Sequence, residues 1–277
     1  MWFKIINKEI IKNNLIQIIA LTELKIKLRL RFKFSLVLNY INPLITIIIP
    51  LIIMGAFFKF NEKFGPWTQV NYFIFMFMAY NIILLRGTVD QFLAQIYLEK
   101  YWKTLTALMI APFNRINLLF GVFISQLIVI SIPFTVFLIL CYIVYPISVI
   151  TVIIVLIIYF LIALIFSGIG ILIGVFVITN ENILVILRFL FNLMFWFSCI
   201  VYPFEVFPEV VQNLISLNPL YYIFDFLRVV WIENDFIYSI NNHKMSFVLL
   251  ILSAIFIPIL SVIIFNEIYK KFGISGY

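Results

Sequence analysis

Four charged side chains stand together where the surrounding sequence is apolar. In the stretch 94–121, AQIYLEKYWKTLTALMIAPFNRINLLFG, Glu99, Lys100, Lys103 and Arg115 lie between two long hydrophobic runs. A segment with this charge density is expelled from a bilayer, where each charge at a helix centre costs about 2.5–3.5 kcal/mol on insertion scales. It must lie at or beyond the membrane surface. One acid and three bases in a short segment at the membrane surface suit contact with a soluble partner, and the stretch reads as a lever on the helices at either end.

Bond-making chemistry finds little to work with elsewhere. The sole histidine, His243, sits in a polar loop beside Asn241, Asn242 and Lys244, and one exterior histidine cannot complete a Ser-His-Asp set. The three aspartates, Asp90, Asp225 and Asp235, are too far apart in sequence to suggest a paired-carboxylate metal site. No Gly-x-x-x-x-Gly-Lys-Ser/Thr run offers a phosphate-binding loop. Ion-coupled transport wants ionisable groups at mid-membrane, and the centres of the apolar runs carry almost none. No catalytic residue, metal ligand or cofactor site is expected on this chain. Any energy source must reside on another polypeptide. Cys141 and Cys199 fall in apolar runs and suggest no disulfide framework.

The elements that would position the charged link follow from hydropathy. The 277 residues are 65% hydrophobic and 11% charged, where a soluble domain carries about 25% charged residues, and the mean hydropathy is +1.18. At roughly 20 apolar residues per crossing helix, the chain holds six spans and no separate soluble domain. We expect them at 37–58, 70–92, 118–144, 149–177, 183–203 and 247–266. This is an all-α integral membrane fold, with residues 1–36 as a basic arm and 37–277 as the transmembrane domain. No signal-length apolar core precedes residue 36, so no cleaved leader is expected.

The arm alternates apolar and basic residues from Leu24 to Leu36, with Lys25, Lys27, Arg29, Arg31 and Lys33 on the odd numbers. Period two is a strand signal, but a lone strand at a membrane leaves its backbone unpaired. An interfacial helix with basic heads reaching water is favoured; a simple polybasic anchor to anionic lipid stays open. Residues 59–67 read as a polar turn. Arg86 and Asp90, four apart, read as an ion pair near the end of the second span.

In the fourth span Ala163, Ser167, Gly170 and Gly174 form a small-residue stripe on one helix face. Such stripes let helices approach closely in lipid; packing inside the subunit is preferred over a dimer seam. After the fifth span, Pro208 opens an amphipathic segment with Val210, Val211, Leu214 and Ile215 on one side. Asn218–Pro219 breaks it, and a short apolar stretch at 220–231 carries Asp225 and Arg228 three apart. These two half-length pieces read as a re-entrant pair at the outer leaflet.

Charge orients the set. With both termini inside, the inner segments hold fifteen Lys/Arg against six Asp/Glu, and the outer segments four against six. This agrees with the bias that places Lys and Arg on the cytoplasmic side.

Three stretches resemble the permease subunits of type 2 ABC exporters, the ABC-2 superfamily. The link LEKYWKTLTALMIAPFNRINLLFG at 98–121 is similar to the family's charged run, Ala-Pro turn and closing glycine. VYPFEVFPEVVQNLISLNPL at 201–220 resembles the family's stretch after the fifth span, and NPLYYIFDFLR at 218–228 its Asn-Pro signature ending in arginine.

The resemblance implies a multi-pass permease of the cytoplasmic (inner or plasma) membrane that works as a dimer, expected to be a homodimer. An ATP-binding subunit would dock below each half, two copies in all, and hold the ATP and magnesium. Membrane lipids are the other expected partner; nucleic acid is not one. By the same resemblance residues 97–109 are a coupling helix, with Glu99, Trp102, Lys103, Leu105 and Met109 seated on the ATPase. The arm becomes an interfacial connecting helix. Residues 206–231, with Pro208, Asn218, Pro219, Asp225 and Arg228, become outer re-entrant helices that cap the exit. Export of a polysaccharide, lipid-linked glycan or glycolipid leads export of a drug or antibiotic. A lipid-modifying enzyme and a non-transporting scaffold are further alternatives.

Overall fold

The computed structural model describes residues 2–60, 63–101, 115–179 and 181–274. The arm is helical: α1 (Trp2–Arg31) meets α2 (Lys33–Phe57) at Phe32, whose φ of −101° and ψ of 63° break the helix. Wound at 3.6 residues per turn, the two-residue alternation splits the basic residues between faces. Lys25 and Arg29, four apart, turn toward the bundle and hydrogen-bond to Gln95 and Gln126. Lys27 and Arg31 stay exposed, and Lys27 pairs with Glu23 at 2.6 Å. That ammonium holds the Glu23 carboxyl below its usual range.

Along α2 the buried positions are Pro43, Ile47, Pro50 and Met54, a narrow stripe at helical spacing. Both prolines lie on it, against neighbouring helices that can re-satisfy freed backbone groups.

Residues 59–67, read as a turn, contain a short hairpin instead. β1 (Lys63–Phe64) pairs antiparallel with β2 (Trp67–Thr68). Gly65 supplies the positive φ of 58° that the reversal needs. Its Cα packs so close to the Glu205 side chain that an added Cβ would collide with the carboxylate.

The core is built on α3 (Tyr72–Tyr101), which packs against α4 (Arg115–Val144) and α5 (Val149–Thr179). In the most apolar stretch of α3, 72% of the residues are buried, against 17% in α2. Gly170 and Gly174 of α5 set the approach to α3: a Cβ on Gly170 would stand 2.9 Å from Val89 Cα, and one on Gly174 would meet the Ile96 side chain. Ala163 and Ser167 are buried on the same helix.

Past α5, the stretch expected as the span 183–203 is not one helix. α6 (Glu181–Trp196) stops after 16 residues, about 24 Å at 1.5 Å per residue, short of a hydrocarbon core of about 30 Å. A turn follows, in which Cys199 takes the left-handed conformation, φ 55°.

A 3₁₀ turn (Phe204–Val206) then leads into α7 (Glu209–Ser216), α8 (Pro219–Glu233), α9 (Phe236–Asn242) and α10 (Lys244–Ile274). α8 packs against α3, α5 and α10 rather than lying on a surface. Phe166 of α5 joins the two short helices, with Phe195 and Phe224 both 6.1 Å away. Among the described residues, five helices are long and apolar enough to cross a membrane: α2, α3, α4, α5 and α10.

Candidate functional site

Two features stand out in the assembled bundle. The first is a cavity of about 920 Å³ between the α1–α2 elbow and the halves of α3 and α4 that face it. Its position follows from how α1 is held on α4. Asn117 donates to Asn14 Oδ1 at 2.9 Å and to Gln17 Oε1 at 2.7 Å, and Arg29 donates to Gln126 further along. Tyr40 of α2 donates to the Val129 carbonyl at 2.5 Å. These bonds pin the elbow at both ends and leave the space between.

The cavity wall is amphipathic. Asn39, Asn42, Gln91, Gln95, Ser125 and Gln126 bring amide and hydroxyl groups, while Phe32, Leu36, Ile83, Leu84, Ile130 and Trp196 bring apolar surface. Lys25, Arg29 and Arg86 bring positive charge, and Asp90 the one carboxylate of the lining. Burial pushes the Arg29 guanidinium down to about 10, with the neighbouring Tyr40 opposing the shift. It remains charged at neutral pH.

Arg86 departs from the sequence reading. Because α3 runs on to Tyr101, Arg86 lies midway along the helix, not near the end of a span. It does not pair with Asp90. Its guanidinium donates to Asn192 Oδ1 of α6 at 2.6 Å and lies 4.7 Å from the Phe195 ring centre. Asp90 pairs instead with Arg188 at 3.2 Å. The four-residue spacing puts both groups on one face, but α6 offers each a better-placed partner. Ionisable side chains this deep in a membrane bundle are costly and rare, and face the bundle interior or a cavity.

The second feature is the junction of α6 with α8. Arg228 is 1% exposed. It donates to the carbonyls of Cys199 at 2.9 Å and Ile200 at 2.8 Å, and its guanidinium carbon sits 3.7 Å from the Phe75 ring centre. It serves the broken backbone after α6, and makes no ion pair with Asp225, three residues back. Asn218 works at the same junction: its Oδ1 accepts from Leu220 N at 3.1 Å and its Nδ2 donates to Met194 O at 2.5 Å. Asn at the N-cap followed by Pro at the first helical position is a strong helix start. Pro208 caps α7 in the same extended conformation, and that helix leaves Val210 and Leu214 exposed, with Leu217 exposed just past its end.

Of the residues singled out from the sequence, Lys25 and Arg29 line the cavity, and Asn218, Pro219 and Arg228 build the junction. Lys27, Arg31 and Lys33 face away from the cavity. Glu99 lies on the last turn of α3. Trp102, Lys103, Leu105 and Met109 lie outside the described residues. In sequence Arg86 reads as an ion-pair partner of Asp90, and the cavity amides Gln91, Gln95 and Gln126 carry no signal in a linear reading. Gln91 and Gln95, four apart beyond Arg86, are the pattern that a longer second helix would have brought out.

Several helices apolar enough to cross a membrane, a basic helical arm laid against them and a buried broken-helix pair define a multi-pass membrane protein. The family model for the ABC-2 type transporter matches residues 16–232, and the chain belongs to that family. It is therefore a membrane permease of an ABC exporter, a kind of subunit whose family implies an ATP-binding partner. No curated protein matches the chain.

Proposed function

We propose that this permease carries a polysaccharide, lipid-linked glycan or glycolipid outward across the cytoplasmic membrane. The observation that supports the reading is the cavity, whose amide and hydroxyl groups stand opposite an apolar wall. Neutral amides and hydroxyls hydrogen-bond sugar hydroxyls in either direction, and the apolar wall suits a lipid moiety beside them. Two copies of the chain form the working unit, each with one ATP-binding subunit on its cytoplasmic side, where ATP and magnesium are held. Both termini face the cytoplasm, and α6 with residues 197–203 makes the fifth of six crossings. The link at 97–109 transmits the ATPase stroke, and α7 with α8 caps the outer end.

The apolar wall also supports a second reading, export of a hydrophobic drug. Inside-out vesicles holding the permease with its ATPase separate the two. ATP-dependent uptake of a labelled lipid-linked oligosaccharide, unaffected by a hydrophobic cationic dye, is the expected result. Uptake of the dye alone would establish the drug reading, and uptake of neither would overturn both.

A further inference from the structure

We infer that the cavity seats the phosphate of an anionic membrane lipid between Arg29 and Arg86, with the lipid's chains lying along its apolar wall. The inference deepens the export reading by giving that same cavity a charged anchor. It needs neither ATP nor a partner chain to be tested, so its failure and that of the export reading can be told apart.

Charge balance is the first ground. Two guanidinium groups, Arg29 and Arg86, line the cavity, and its one carboxylate is Asp90. That carboxylate is already answered by Arg188, 3.2 Å away and outside the lining. The hydrogen-bond partners of Arg29 and Arg86 are neutral amides, Gln126 and Asn192. An amide orients a guanidinium without cancelling its charge.

The second ground is donor chemistry. Arg86 gives Nη2 to Asn192 and Arg29 gives Nη1 to Gln126, one nitrogen of each fork. Guanidinium groups present planar forks of N–H donors that match phosphate oxygens.

The third ground is the shape of the surroundings. Leu28, Phe32, Leu36, Ile83 and Ile130 continue the cavity as apolar surface. A free phosphate would have no use for that wall, whereas a lipid places its head at the arginines and its chains against it. Basic pockets between membrane helices on the cytoplasmic side are places where anionic head groups bind. The α1–α2 elbow lies on that side if the termini are cytoplasmic.

The test uses the full-length protein in neutral detergent micelles, titrated with dioleoyl phosphatidic acid and followed by native mass spectrometry. One lipid retained per chain is expected, with dioleoylglycerol, which lacks the phosphate, retained at least tenfold more weakly. Arg29→Gln and Arg86→Gln should each weaken phosphatidic acid binding about tenfold, as expected for loss of a charge-assisted hydrogen bond. Ala94→Trp, which fills the cavity from its lining while every charge stays, should weaken it as much. Thermal melts of each variant in the same micelles check folding. If Arg86→Gln fails to fold, Arg29→Gln and Ala94→Trp still decide the matter. Equal retention of dioleoylglycerol, or unchanged binding in the folded variants, would overturn the site. Displacement of the lipid by millimolar inorganic phosphate would overturn its lipid character.

Discussion

Arg228 Nη1 lies 2.9 Å from the carbonyl oxygen of Cys199, and Nη2 lies 2.8 Å from that of Ile200. These carbonyls belong to a stretch that has left helical geometry, with Cys199 at φ 55°. Backbone groups buried away from water must find partners, and within a membrane bundle the demand is stricter still. A side chain of α8 therefore makes the interruption after α6 tolerable. Replacing Arg228 with Met strands both carbonyls, at about 1–3 kcal/mol each. Thermal unfolding of the detergent-solubilised protein should show a loss of roughly 2–6 kcal/mol. Arg228→Lys keeps the charge but presents a point donor in place of a fork, and should fall between the two. A melting temperature unchanged in Arg228→Met would mean that water or a relaxed backbone serves the carbonyls instead.

Asn218 tests the same junction from the other side of the break. Its Oδ1 starts α8 and its Nδ2 ties Met194 to that start. Asn218→Asp keeps the capping acceptor and loses the donor, whereas Asn218→Ala loses both. Loss of an N-cap costs typically about 1 kcal/mol, and a net hydrogen bond contributes about 0.5–1.5 kcal/mol. The Ala variant should be the less stable by roughly 1 kcal/mol in the same unfolding measurement. Equal stabilities would show that the cap contributes nothing beyond the Met194 bond.

What could be read in the sequence depended on whether the deciding interaction was local. The apolar spans were legible because hydropathy over twenty residues is a local quantity, and α2, α4, α5 and α10 lie over their expected ranges. The start of α8 was legible for the same reason, since Asn218–Pro219 carries its own stop and start. The end of α6 was not. Residues 197–202, FSCIVY, are apolar enough to continue a span, and the groups that receive the broken backbone come from Asn218 and Arg228, some 20–30 residues later. The arm's alternation was ambiguous because period two satisfies both a strand and, taken at every second repeat, a helix face. The cavity was invisible for a similar reason: its polar groups come from α1, α2, α3 and α4, and no single segment announces it.

Gly170 and Gly174 both face α3, but they meet different neighbours. A Cβ on Gly170 would stand 2.9 Å from Val89 Cα and 3.0 Å from the Val89 carbonyl oxygen, which only a backbone shift can clear. A Cβ on Gly174 would meet first the end of the Ile96 side chain, Cδ1, which can turn aside. Overpacking a fitted contact costs about 1–3 kcal/mol. Gly170→Ala should show that loss in thermal unfolding, and Gly174→Ala less than half of it. If the order reverses, the helix contact is set by Ile96 rather than by the Val89 backbone.

The charged link gives the functional test. α3 continues as a helix through Glu99 to Tyr101, so any force delivered just beyond it acts on a rod whose preceding turns, from Ile83 to Gln95, line the cavity and pack on α5. On the proposed mechanism Glu99→Ala combined with Trp102→Ala removes the charge and the bulk on which the ATP-binding subunit pushes. Export in reconstituted vesicles should fall to background, while membrane insertion, the α6–α8 junction and the thermal unfolding midpoint stay unchanged. A single cysteine at Lys103 should react with a membrane-impermeant maleimide in inside-out vesicles and not in intact cells. Labelling from the outside, or full export by the double variant, would place the drive elsewhere on the chain. Loss of export with normal partner docking would locate the defect in force transmission rather than in assembly.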